Sequence, residues 1–131
     1  MTLCRHCKFV APGESMKEAN LTKKLSLFNT LFSPKTVGLF NGHDVMVAKI
    51  KGEYHWHSHA DTDDFFYVLK GNMRIELRDR NVHLAEGELF IVPQGVEHRP
   101  VADEEAHIML IEKSHTPNSG DVATAAKREL I

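Results

Sequence analysis

The middle of the chain alternates between short apolar runs and turn-forming residues. Nine runs are predicted to be strands: KTVGLF, HDVMVAKI, EYHWHSH, DFFYVLK, NMRIELR, VHLA, ELFIV, VEHRP and AHIMLIE. Asn41-Gly42 separates the first two runs and is a strong hairpin signal. Within NMRIELR, Met73, Ile75 and Leu77 alternate with charged residues, as in a strand with one solvated face. This spacing of short strands predicts a closed or sandwiched antiparallel β architecture.

A helix of two to three turns is predicted within residues 16–31, before the strands begin. Ser15 and Glu18 have the spacing of a capping box, and Pro34 ends the pattern. An apolar stripe recurs at helical spacing and comprises Leu21, Leu25, Phe28 and Phe32. The pattern therefore predicts an all-β domain preceded by one short helix.

Three segments are expected along the chain. Residues 1–14 are interpreted as an N-terminal arm, residues 15–112 as the β domain with its helix, and residues 113–131 as a tail. The end of the tail, ATAAKRELI, is compatible with a short helix. Cys4 and Cys7 form a lone CxxC without a second ligand pair, so we interpret them as reduced thiols rather than a zinc site.

Composition narrows the class of protein without naming a function. The 131 residues suit one compact domain, and the apolar fraction of 42% and charged fraction of 26% are ordinary for a globular chain. A formal charge of −2 favours neither nucleic acid nor an anionic membrane. No signal peptide or bilayer-spanning run is evident, so a cytoplasmic location is expected.

The strongest chemical signal is a group of histidines at alternate positions in EYHWHSH. His57 and His59 share one face of an extended strand, about 6 to 7 Å apart, and their ring nitrogens can turn toward one metal ion. His55 lies one step further along and is expected to be too distant. A third ligand must come from elsewhere, and His98 is the best candidate, since the turn at Pro93 and Gly95 precedes it. If His98 faces inward, the same face should carry Val96 and Pro100, while Glu97 and Arg99 face outward.

GEYHWHSHADTDDFFYVLKG, residues 52–71, resembles the first motif of the cupin superfamily. That motif has a glycine, HxH, three or four residues, a glutamate, six residues and a second glycine. In this chain residues 57–59 supply HxH, Asp64 follows after four residues, and Gly71 follows after six more. The family's usual glutamate is therefore an aspartate here.

GELFIVPQGVEH, residues 87–98, resembles the second cupin motif. The matching positions, at the expected spacings, are Gly87, Pro93, Gly95 and His98. The resemblance covers about residues 35–112 and is to small single-domain cupins. It implies an all-β fold, a small antiparallel β-barrel or jelly roll, often dimeric, with a metal at its centre.

The resemblance implies a ligand set of His57, His59, Asp64 and His98. Aspartate is one methylene shorter than glutamate, so three roles remain open for Asp64: direct ligation, holding a water on the metal, or orienting a histidine. Asp63 is an alternative carboxylate, but its parity directs it outward. Phe66 and Val68 share the parity of Asp64 and are predicted to face inward.

The resemblance implies a divalent transition metal, and imidazole ligands suit Fe, Mn, Zn, Ni or Co equally. We expect a metal-dependent enzyme, an oxygenase or an isomerase, that acts on a small oxygen-bearing organic molecule. The alternative is a non-catalytic module that binds a metal or a small ligand. A homodimer is expected, and no nucleic-acid or membrane partner. No general acid or base can be assigned from the sequence.

Overall fold

The computed structural model describes residues 17–116 and 128–131. The described part contains one short helix and seven strands. Their bounds are α1 (Leu21–Leu25), β1 (Lys35–Phe40), β2 (His43–Glu53), β3 (Asp64–Lys70), β4 (Met73–Leu77), β5 (Asn81–Leu84), β6 (Leu89–Val92) and β7 (His98–Lys113). The all-β fold class predicted from the sequence is confirmed.

The strand β7 organises the fold because it pairs with three other strands. Along its C-terminal part it lies between β2 and β3, in the order β1-β2-β7-β3-β6. The first four residues of β7 pair with β4, and β4 pairs in turn with β5. All of these pairings are antiparallel. The result is a jelly-roll-like arrangement, and no ladder among the described strands closes it into a hydrogen-bonded barrel.

The prediction of nine strands was wrong at two places. AHIMLIE and the last three residues of VEHRP belong to the single 16-residue strand β7, which passes a register shift opposite Ile50 and Gly52 of β2. EYHWHSH is not a strand: residues 54–63 connect β2 to β3 and make one isolated bridge, His57 to His98. The rings of His57 and His59 in this connection lie 5.0 Å apart between centroids.

The helix is shorter than predicted. It has five residues and begins after Asn20, whose side-chain oxygen accepts a hydrogen bond from the backbone N–H of Lys23 at 3.0 Å. Asn20 therefore caps the helix instead of the predicted Ser15, which lies outside the described residues. Phe32 is not helical, since its φ of 54° places it in the left-handed region.

The core lies between the inward faces of the strands. In β3 the inward residues Asp64, Phe66 and Val68 are buried, while the residues between them are half-buried, which confirms the predicted parity. The core cluster also includes Ile75 of β4 and Ile108 of β7. The inward face of β3 is therefore apolar except at Asp64, its first residue.

Several sequence predictions fall outside the described residues. These are the arm at residues 1–14 with Cys4 and Cys7, and most of the helix suggested for the tail, at residues 123–127. Within the described part, α1 is far too short to cross a bilayer.

Candidate metal centre

Four side chains that can ligate a metal meet in the interior. They are His57, His59, Asp64 and His98, and each offers a ligand atom within 4.8 Å of the others. All four residues are buried, with exposed fractions between 1% and 8%. The structure therefore brings together the four positions that the sequence predicted as metal ligands.

Backbone hydrogen bonds place the four residues from three separate segments. Asp64 begins β3 and His98 begins β7, whereas His57 and His59 lie in the connection before β3. The backbones of His57 and His98 exchange two hydrogen bonds, of 3.1 and 2.9 Å. The carbonyl oxygen of His59 accepts a hydrogen bond from the N–H of Gly95 at 2.9 Å, which ties this connection to the turn before β7.

Hydrogen bonds to backbone carbonyls orient two of the imidazoles. Nδ1 of His57 lies 2.9 Å from the carbonyl oxygen of His55, and Nδ1 of His98 lies 2.9 Å from that of Val96. A carbonyl oxygen can only accept, so each Nδ1 must carry the proton. In the neutral imidazoles of His57 and His98, Nε2 therefore keeps its lone pair for another partner.

The inward atoms lack the partners that a buried polar group needs. Nδ1 and Nε2 of His59 and Oδ1 of Asp64 have no hydrogen-bond partner among the described residues. Oδ2 of Asp64 lies 3.0 Å from Nε2 of His98 and 3.3 Å from Nε2 of His59. A carboxylate and two imidazole lone pairs are all acceptors, so they need a proton or a cation between them. Three nitrogens and one carboxylate oxygen suit a divalent transition metal.

The pKa values of the group favour a metal-binding state. Burial lowers the pKa of His57 to about 4, and the neighbouring imidazoles of His98 and His59 add to this effect. Burial acts to raise the pKa of Asp64, but its contacts with His59 and His98 outweigh burial and hold this pKa below its ordinary value. At neutral pH His57 is therefore a neutral ligand and Asp64 is a charged one.

A small cavity of about 40 Å³ adjoins the group. It has room for about three water molecules, at roughly 10–15 Å³ each. Apart from His57, Asp64 and Glu112 its lining is mostly apolar, and comprises Phe32, Pro34, Ala48, Ile50, Tyr54, Phe66, Pro100, Ile108 and Leu110. The rings of Phe32 and Tyr54 stack with 5.1 Å between centroids. The lining is suited to a small, largely apolar ligand.

Sequence reasoning missed Glu112, a buried carboxyl group at the edge of the four residues. Its Oε2 lies 3.9 Å from Nε2 of His59, and it lines the same cavity. Burial raises the pKa of Glu112 to about 9, with a further contribution from the charge of Asp64, while Arg128 acts in the opposite direction. The available signal was parity: Glu112 continues the buried alternation of Ile108 and Leu110.

The residues around the group follow the predicted strand parity except at Val96. His55 is exposed and lies outside the group, as predicted. Asp63 points away, and its Oδ1 accepts a hydrogen bond from the N–H of Gln94. Pro100 is buried as predicted, but the inward position predicted for Val96 was wrong: it is 36% exposed, because it lies before β7 begins and strand alternation does not extend to it. Arg99 is half-buried, and its guanidinium donates to Oε1 of Glu76.

Both a family of known sequences and a solved structure match this chain. Residues 44–112 match the cupin domain family. A crystal structure of a cupin-2 domain containing protein from Shewanella frigidimarina NCIMB 400 superposes with a TM-score of 0.71 at 44% identity. That match covers 72% of this chain and 93% of the other.

Curated relatives match over shorter stretches. The uncharacterized protein YdbB of Bacillus subtilis is 38% identical over 60 residues, which cover 45% of this chain and 53% of that protein. The 3-hydroxyanthranilate 3,4-dioxygenase of Brucella anthropi is 31% identical over 81 residues, which cover 56% of this chain and 44% of that protein. The chain thus spans about half the length of these curated relatives.

Proposed function

We propose that this chain, which belongs to the cupin family, is a metal-dependent enzyme of the oxygenase type. Its substrate in this proposal is a small oxygen-bearing organic molecule. The observation that carries the proposal is the group of three imidazoles and one carboxylate that meet, without sufficient protein partners, beside a mostly apolar cavity. Dioxygenases among the curated relatives favour the oxygenase over the isomerase reading.

In this proposal His57, His59, Asp64 and His98 hold the ion. A divalent iron there would act as a Lewis acid and as a redox centre for an oxygen-bearing substrate. Mn, Zn, Ni or Co would act as a Lewis acid. The carbonyl partners of His57 and His98 keep their rings aimed before the ion arrives, which limits the ordering cost of binding. Asp64 contributes the negative charge that partly neutralises a dication.

The cavity residues bind and shield the substrate. Phe66 and Leu110 are buried apolar residues of the lining, and the exclusion of water by such residues strengthens electrostatic interactions in the cavity. Tyr54 places a hydroxyl-bearing ring at the half-buried end, stacked on Phe32. A small organic molecule that presents oxygen atoms at one end matches this combination of apolar walls and one polar end.

The test begins with elemental analysis of protein purified without a metal-affinity tag, which should contain a transition metal. The iron-loaded protein is then mixed in turn with each of a panel of small oxygen-bearing compounds, which includes 3-hydroxyanthranilate because a relative is named for it, and oxygen uptake is followed with an electrode. We expect oxygen consumption matched to loss of the compound, and none after His57→Ala with His59→Ala. A spectral change on mixing without any oxygen uptake across a panel of such compounds would favour the alternative, a non-catalytic binding module.

We further propose that the chain forms a homodimer through the outward face of its sheet. A row of apolar residues crosses four strands there: Val45, Ile111, Phe65 and Ile91 are cross-strand neighbours on β2, β7, β3 and β6. Ile91 is 46% exposed. The other three residues are half-buried, so the row is a contiguous, partly exposed apolar surface that a two-fold axis would cover with the same surface of a second copy.

Light scattering tests the homodimer. The unaltered chain should have the mass of a dimer, and Ile91→Lys should give a monomer because it places a charge in the interface. Leu27→Lys is the matched control, since Leu27 is 66% exposed but lies outside this row. A monomeric unaltered chain would contradict the proposal.

A further inference from the structure

We propose that Glu112 is a fifth functional group of the metal centre, a positioning residue on the cavity side that accepts a hydrogen bond from the hydroxyl group or water entering beside the ion. The inference rests on the proposed function, because it presupposes a metal held by the four residues described above. It assigns a role to a carboxyl group that no ligand motif of the sequence includes.

The first support is the register of the strands. Asp44 of β2 is the cross-strand partner of Glu112 of β7. On the other side, Phe65 pairs with Ile111, so Asp64 of β3 lies next to Glu112 one step along the same ladder. Three buried carboxyl groups thus form one row across the sheet, with Glu112 between the other two. The row therefore joins Asp44, which binds Arg128, to Asp64 of the metal centre.

The second support is the position of Glu112 relative to the ligands. Its Oε2 is 3.9 Å from Nε2 of His59, yet Glu112 is not one of the four residues whose ligand atoms all lie within 4.8 Å of one another. It lines the cavity together with His57 and Asp64. A group in this position can reach a molecule in the cavity while leaving the four ligands intact.

The third support is the way Arg128 fixes the carboxyl group. Nη2 of Arg128 donates to Oε2 of Glu112 at 3.1 Å and to the carbonyl oxygen of Thr116 at 2.6 Å, and Nη1 donates to Oδ2 of Asp44 at 2.9 Å. The Arg128 side chain is 5% exposed, so these contacts are shielded from solvent. A guanidinium held at three points limits the rotation of Glu112 and keeps it directed at the cavity.

A purely structural role would make Glu112 an anchor for Arg128 and nothing more. Asp44 offers the matched comparison, because it is also buried and also binds Arg128, but it does not line the cavity. Glu112→Gln and Asp44→Asn each replace a carboxyl group that binds Arg128 by an amide, with little change in side-chain volume. If the role is structural, the two variants should behave alike.

The test measures cobalt(II) binding, by competition with a chelator, and the visible spectrum of the cobalt(II)-loaded protein. Glu112→Gln should weaken cobalt(II) binding by about tenfold, the lower end of the range for groups just outside the ligand set, and should shift the spectrum. Asp44→Asn should change neither. Glu112→Asp, which retains the carboxylate, should recover part of the lost affinity and remains informative if Glu112→Gln folds poorly.

Two outcomes would overturn the inference while leaving the proposed function intact. One is unchanged cobalt(II) affinity and spectrum in both Glu112 variants. The other is an equal loss in Glu112→Gln and Asp44→Asn, which would reduce Glu112 to an anchor for Arg128. An unaltered protein that binds no cobalt(II) at all would instead remove the proposed function, and this inference with it.

Discussion

Both sides of the segment around His57 carry polar groups, but these groups differ in the hydrogen-bond partners available to them. On the outward side, the guanidinium of Arg78 lies 3.8 Å above the ring of Trp56 and donates to Glu97 at 2.8 Å. On the inward side, the imidazole of His59 has no hydrogen-bond partner among the described residues. A dense set of charges does not identify a functional site, whereas buried polar atoms without partners do.

Solvent accounts for much of this difference. The side chains of Arg78 and Glu97 are 62% and 54% exposed, so water satisfies what the pair leaves open and screens its attraction. The side chains of His59 and Asp64 are 2% and 3% exposed, so water does not satisfy their polar atoms in this way. Their unmet hydrogen-bonding capacity persists in the fold because a cation can meet it.

The largest expected effect is loss of the metal when the inward side is truncated. His57→Ala with His59→Ala should reduce the affinity for zinc or cobalt(II) by more than about 100-fold, since even groups that merely support ligands matter on that scale. Equilibrium dialysis with elemental analysis measures the change, and circular dichroism checks that the fold is retained. Stoichiometric metal retained in the double variant would place the metal elsewhere.

An intermediate effect is expected from pH, in the metal-free protein. The pKa of His57 is about 4 in the folded state and about 6.5 when unfolded, so below pH 6.5 the unfolded chain binds a proton that the folded chain does not. His57 therefore lowers the free energy of unfolding as the pH falls from 6.5 toward 4, by ~2 kcal/mol at pH 5.

Urea unfolding at pH 7.5 and pH 5, compared between the unaltered chain and its variants, isolates this contribution from that of Glu112, whose raised pKa acts in the opposite direction. His57→Gln should remove it, whereas His55→Gln, a change at an exposed neighbour, should leave it in place. The same pH dependence in all three proteins would mean that burial of His57 is not its source.

The smallest effect is expected on the outward side. Arg78→Ala should lower the free energy of unfolding by about 0.5–1 kcal/mol, since it removes one exposed ion pair and one cation–π contact. Metal affinity should be unchanged, because Arg78 faces away from the four ligand residues. Chemical denaturation and a parallel metal titration test both parts, and a fall in metal affinity would show that the two sides are coupled.

Much of the fold and of the candidate site could be predicted from local patterns. The Asn41-Gly42 hairpin joins β1 and β2, and the alternation of Asp64, Phe66 and Val68 describes the inward face of β3. His98 faces inward, as its place after the Pro93 turn suggested. These features depend on backbone geometry over a few residues, which the order of residue types encodes directly.

Other features could not be predicted because they depend on distant pairing. EYHWHSH has the alternation of a strand, but beyond Glu53 its only ladder-type pairing is the isolated bridge of His57 to His98, and the chain bends at residues 60 and 61. The conformation here is therefore set by the hydrogen bonds that neighbouring segments make available, and not by the local propensity to form a strand.

The order of residues was enough to predict the all-β class, the inward face of β3 and the three histidines that meet in the interior, because such patterns depend on the period of the backbone. The row of Asp44, Glu112 and Asp64, and the binding of Arg128 to two of its members, arose from strand register and from the return of the chain's end to the sheet. Coulombic and hydrogen-bonding partners are set by distance in space, and residues far apart in sequence come within that distance only once the sheet has formed.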